Sequence, residues 1–110
     1  MSTQIGKDGE KEAINFLKKK GYRILFTNYR NSRREIDLIV QNNDTIVFIE
    51  VKKRKNAQFG TPETFVSEGQ KKRIRKAAEH FLIKENWFGD IRFDIISIEN
   101  NEIIHFEDAF

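Results

Sequence analysis

Glu10, Asp37, Glu50 and Lys52 are the residues whose types and spacing could do chemistry in this chain. Glu35-Ile36-Asp37 falls in one predicted strand and Glu50-Val51-Lys52 in the next, so two carboxylates and an ammonium stand on adjacent strands. Carboxylate oxygens suit Mg²⁺, which binds through one or two of them and leaves the rest of its shell to water and substrate phosphate. A lysine beside such an ion can orient or deprotonate an attacking water. Glu-x-Lys alone occurs too often to identify anything, so the weight falls on the elements that carry these residues.

Alternation places Ile36, Leu38 and Val40 on one face of the second predicted strand, and Val47, Ile49 and Val51 on the matching face of the third. Pairing these apolar sets requires an even-length turn centred between Asn43 and Asp44. That register sets Asp37 opposite Glu50, and Glu35 opposite Lys52, where an ion pair would keep Lys52 protonated. A slip of one residue would mix the faces. Directly opposed side chains have Cβ atoms about 4.5–5.5 Å apart, and like charges there repel. A divalent cation between Asp37 and Glu50 would remove that penalty.

A first helix is expected from about Thr3 to Lys19, closed by Gly21, with Ala13, Phe16 and Leu17 inward. Glu10 lies on the same stripe, three residues before Ala13. It is either a rim carboxylate reaching water or a buried one that needs a partner or a metal. Tyr22 to Tyr29 reads as a strand. A second helix is expected from Glu68 to about Lys84, with Ser67 as N-cap, Gln70 completing a capping-box pattern, and Ile74, Ala77, Ala78, Phe81 and Leu82 as its apolar stripe. Gln70 and Lys71 face the sheet at the start of that helix; Gln70 serves either as a cap or at the site. Ile91 to Glu99 and Glu102 to Phe106 read as a strand pair around Asn100-Asn101. The fold class is α/β, a mixed sheet flanked by helices in the order αβββαββ.

The 110 residues suit one domain, 1–110, and the absence of cysteine excludes disulfides and thiolate metal sites. No signal peptide or membrane span is visible, and a cytoplasmic location is expected. Up to Glu85 there are 19 Lys/Arg against 11 Asp/Glu; from Asn86 onward there is one Arg against 6 acids. A basic body with an acidic end fits a face for a polyanion, and it equally fits an ordinary solvated lysine surface. Lys72, Arg73, Arg75 and Lys76 on the second helix, with Gln70 and Lys71 at its start and Lys53, Arg54 and Lys55 after the third strand, are the expected phosphate contacts. Two lone histidines, His80 and His105, do not make a zinc site and are expected to be structural. Trp87-Phe88 is expected to pack in the core, with stacking on an unpaired base as the alternative.

With Glu10 on a helix and Asp37 and Glu50-Val51-Lys52 on two strands, the chain resembles the PD-(D/E)xK nuclease superfamily, with its restriction-endonuclease-like core. More narrowly, nearly its whole length resembles the YraN-like family of small bacterial proteins. The matching stretches are Gly9-Glu10, Gly21-Tyr22, Asn28-Tyr29-Arg30, Glu35 to Ile39, Phe48 to Arg54, Phe59-Gly60, Lys71 to Arg73, Arg92-Phe93-Asp94 and Ala109-Phe110. The family is similar in turn to archaeal Holliday-junction resolvases, which are homodimers, so a homodimer is admitted here.

The resemblance implies that Asp37 and Glu50 hold Mg²⁺ or Mn²⁺ with the Val51 carbonyl. It further implies that Lys52 positions or activates water, and that Glu10 completes the site. Ile36 stands where the superfamily label has proline, which contributes no ligand. Three functions follow: a metal-dependent endonuclease on DNA (preferred over RNA), perhaps branched or flapped; a nucleic-acid-binding module with an inert site; or a protein-interaction domain using the acidic end.

Overall fold

The structure, a computed structural model, describes residues 4–54 and 66–110, and for 4–8 and 54 the backbone alone. The elements are α1 (Gln4–Lys19), β1 (Arg23–Asn31), β2 (Arg34–Asn42), β3 (Thr45–Arg54), α2 (Glu68–Lys84), β4 (Asp90–Glu99) and β5 (Glu102–Phe106). The order αβββαββ is the expected one, and the strands form one sheet in the order β1-β2-β3-β4-β5. All neighbours are antiparallel except β3 and β4, which run parallel. A parallel pair cannot be closed by a tight hairpin and needs a crossover, and α2 lies in that connection.

Local chemistry sets the ends of these elements. Gly21, at φ 92, closes α1. The Gly21 N–H donates to the Lys18 carbonyl at 3.0 Å and the Tyr22 N–H to the Leu17 carbonyl at 2.9 Å. These two bonds form a Schellman cap, and the left-handed backbone at Gly21 suits a residue without Cβ. Ser67 caps α2 by accepting the Gln70 N–H at 3.1 Å. Asn100 and Asn101, at φ 50 and φ 66, make the two-residue turn into β5.

The apolar sets bury on both sheet faces. Ala13 and Leu17 of α1 cover Leu38, Val40, Val47, Ile49, Ile96 and Ile98. Ile74, Ala77, Ala78 and Phe81 of α2 cover Tyr29, Ile36, Ile39, Ile46, Phe48 and Ile95. The β2–β3 register follows the hydrophobic pattern, from Asn42↔Thr45 to Leu38↔Ile49 around the expected turn.

Two expectations fail at the end of this ladder. Ile36 packs on the α2 face and not with Leu38 and Val40, so alternation breaks at Asp37. Glu35 pairs with Arg30 across β1, at 3.7 Å, and does not meet Lys52. The cause is that β2 and β3 diverge beyond Leu38 and Ile49. From there β2 stays with β1 as far as Arg34↔Asn31, while β3 stays with β4 as far as Arg54↔Glu99. The sheet forks.

A polar network ties the last strand to α1. Asp94 is fully buried and accepts Arg92 Nε at 2.9 Å, Arg92 Nη2 at 2.8 Å and the Asp108 N–H at 2.9 Å. His105 Nε2 lies 2.7 Å from its Oδ2, and Lys20 Nζ lies 2.8 Å from His105 Nδ1. Lysine can only donate, so Nδ1 accepts and Nε2 carries the proton given to Asp94. Burial alone would raise the Asp94 carboxyl, but the hydrogen bonds from His105 and Arg92 outweigh it and hold the carboxyl below its ordinary value. His105 is thus structural, at the centre of a buried cluster. Its ring also packs edge-on against Phe16 and Tyr22.

Candidate metal centre

Asp37 and Glu50 stand one step past the last β2–β3 pair, at the base of the fork. Asp37 Oδ2 accepts the Val51 N–H at 2.8 Å, filling the ladder position that the diverging strands leave open. Glu50 is buried, with 7% of its surface exposed. Its Oε2 accepts Gln70 Nε2 at 2.7 Å and lies 3.4 Å from Lys52 Nζ. Both contacts fall on one oxygen. Burial, the neighbouring Glu50 carboxylate and the more distant Glu10 push the Asp37 carboxyl up to about 8, against a downward pull from the Val51 N–H. The metal-free pair therefore holds a proton at neutral pH.

That proton gives a pH dependence with a definite sign. Asp37 would titrate near its ordinary 3.8 in the unfolded chain and near 8 in the folded one. Between those values the folded state binds more protons, so metal-free protein should lose stability as pH rises from about 4 to 8. Urea unfolding in chelator across that range should show the decline, and Asp37→Asn, neutral throughout, should flatten it. A wild-type profile that rises with pH over this window, matched by Asp37→Asn, would contradict the arrangement.

Glu10 enters from α1, on the other side of the sheet, half-buried and close enough to raise Asp37. Its Oε1 accepts Asn28 Nδ2 at 2.9 Å. Asn28 lies in β1 with φ 52, a left-handed conformation that asparagine adopts more readily than most residues. Among the described residues no three His, Cys, Asp or Glu side chains converge into a ready-made cage. The arrangement is a pair with a third carboxylate standing off.

The remaining expected residues distribute as follows. Lys53 lies on the α1 side, 2.8 Å from Glu12, so it and Lys52 face opposite ways. β3 runs to Arg54, whose side chain lies outside the described residues, as do Lys55 and the Phe59-Gly60 stretch. Lys71, only 13% exposed in its side chain, pairs with Glu68 at 2.9 Å at the start of α2. Lys72, Arg73, Arg75 and Lys76 are exposed on α2, with Arg75 over the Phe110 ring at 5.9 Å. The Gln70 backbone is capped by Ser67, while its side chain reaches Glu50. Neither this contact nor the Asn28–Glu10 bond was read from the sequence. An asparagine inside a strand pattern, where that residue is depleted, was the available signal for Asn28. Trp87 packs partly against the core, whereas Phe88 is 90% exposed, contrary to the expected burial of both.

Fold and site together define an α/β domain with a carboxylate pair, Glu50 buried and Asp37 half-buried, and a lysine at the fork of a mixed sheet. The chain belongs to the uncharacterised protein family UPF0102, whose model matches residues 9–98. This is the YraN-like family that the motifs pointed to. A UPF0102 protein of Persephonella marina is 42% identical over 106 residues, covering 96% of this chain and 91% of that protein. Another, of Alkaliphilus oremlandii, is 42% identical over 119 residues and covers both chains completely, at 100% each. A third, of Cytophaga hutchinsonii, is 42% identical over 107 residues, covering 96% of this chain and 95% of that protein. Among the described residues no helix is long and apolar enough to cross a membrane.

Proposed function

We propose that this protein is a metal-dependent endonuclease of the PD-(D/E)xK type, acting on DNA by phosphodiester hydrolysis. The observation that carries the reading is the Asp37–Glu50 pair at the fork, with Lys52 held on Glu50. The donor set fits Mg²⁺ or Mn²⁺: hard carboxylate oxygens, no thiolate, and two acidic side chains, as many as Mg²⁺ ordinarily takes from a protein. When bound, the ion would supply positive charge at the scissile phosphate.

The chain's own residues have separable tasks. The Val51 N–H fixes Asp37, and Gln70 fixes Glu50 from the opposite layer, so both carboxylates are oriented before any ligand arrives. Lys52 keeps an ammonium at the same oxygen, within reach of a water or a phosphate oxygen. The exposed cations of α2 start two residues after Gln70 and supply sequence-independent phosphate contacts.

A second reading, a nucleic-acid-binding module with an inert site, draws on the stand-off of Glu10, which is turned to Asn28. A panel of branched, flapped and linear DNA with matching RNA, incubated with Mg²⁺ and with Mn²⁺, separates the two. The endonuclease reading expects metal-dependent cutting, strongest on DNA. Binding without cutting under every condition would leave the binding module.

A further inference from the structure

The fork has two prongs, and only one was given a role by the sequence. The second is the β1–β2 arm, residues 28–37, which continues as a two-stranded ribbon after β3 has left it. Tyr29 and Ile36 anchor its base in the core under α2. Beyond them the ribbon carries Arg30, Arg33 and Arg34 against a single acid, Glu35. The Arg30 side chain is 70% exposed and only loosely paired with Glu35, at 3.7 Å. Arg34 donates to Asn31 at 3.2 Å, and Arg33 is exposed at the turn with no ion pair among the described residues.

These three arginines begin three residues from Asp37 and end at the tip. At about 3.4 Å per residue the ribbon reaches roughly 14 Å past the carboxylates. The three guanidinium groups thus lie along one prong, Arg30 beside Glu35 on one face, Arg34 beside Asn31 on the other and Arg33 at the turn, while Lys52 and Lys53 project from opposite faces of the other prong. Arginine presents a planar fork of donors that matches phosphate oxygens two at a time.

We propose that the β1–β2 arm is a phosphate clasp: Arg30, Arg33 and Arg34 hold the backbone of a DNA strand that crosses the fork over Asp37 and Glu50. The inference rests on the endonuclease reading and adds the half of the interface that runs away from α2. It places the bound strand between two basic prongs and not along one helix.

The test is DNA binding in chelator, by fluorescence anisotropy of a labelled branched duplex across a salt series. Each phosphate contact contributes about 0.9 to the slope of log affinity against log salt. Arg30→Ala with Arg33→Ala should flatten the slope by roughly 1.8, and Arg30→Lys with Arg33→Lys should restore most of it. Thermal stabilisation by Mn²⁺ should be the same in the alanine double variant as in wild type, which shows an intact fold and site. An unchanged slope in that variant, with wild-type binding present, overturns the clasp and leaves the endonuclease reading standing. Failure of the wild type to bind any DNA at low salt overturns both. Recovery by lysine no better than by alanine would likewise remove the phosphate role.

Discussion

Asp37→Asn and Glu50→Gln should each lower DNA cutting by at least about 10³-fold, because each removes an anionic ligand of the ion that would supply positive charge at the scissile phosphate. DNA binding in chelator should survive in both, and should tighten relative to wild type above about pH 8, where the wild-type pair carries two negative charges. Lys52→Ala should also lose cutting but weaken binding slightly, having deleted a cation. Glu10→Gln should be milder, because Glu10 is bonded to Asn28 and does not join the pair directly. Single-turnover cleavage alongside anisotropy separates these outcomes. Equal residual cutting by wild type and Asp37→Asn would mean that the activity belongs to a contaminant.

The largest effect on stability is expected on the other face of the sheet, where Asp94 stands beside Ile49 on the neighbouring strand. Asp94→Ala should cost about 3–5 kcal/mol, since it removes the buried acceptor of two Arg92 hydrogen bonds and of the His105 N–H, leaving the guanidinium only Tyr22 and Glu107. Against a total of about 5–15 kcal/mol for a domain of ordinary stability, that is enough to leave little folded protein at elevated temperature. Asp94→Asn, which keeps the shape and some acceptor capacity, should cost less. The wild-type carboxyl is held below its ordinary value, so its contribution is complete above about pH 4 and is lost as pH falls through the depressed folded value. Urea midpoints for the three proteins at neutral pH measure the ordering.

How far the fold was legible depended on whether a residue obeyed strict periodicity. Leu38, Val40, Val47 and Ile49 alternate without interruption, and they determined both the β2–β3 register and the approach of Asp37 to Glu50. Ser67 and Gly21 marked the helix ends because capping is local chemistry. The fork was not legible. Alternation carried past Asp37 puts Ile36 with Leu38, yet the strands part there and Ile36 turns to the α2 core.

Residues whose partners are distant in sequence were the other gap. Gln70 meets Glu50 across 20 positions, and Lys20 meets His105 across 85. One signal was available for the Asp94 cluster. Asp94 shares a strand face with Ile96 and Ile98, and a carboxylate on an apolar face is the same kind of signal that the stripe position of Glu10 gives on α1.

The central claim is that Asp37 and Glu50 form a divalent-cation site, and thermal unfolding of wild type and Glu50→Gln with and without Mg²⁺ or Mn²⁺ tests it most directly. Ion at about a hundred times its Kd should stabilise the wild type by about 2.7 kcal/mol. For a chain of this size that is a rise in Tm on the order of 10 °C. The gain should be larger at pH 8 than at pH 6, because the ion must displace the Asp37 proton. Glu50→Gln should show little or none of it. Melting curves that ignore both ions in wild type and variant alike would contradict the claim.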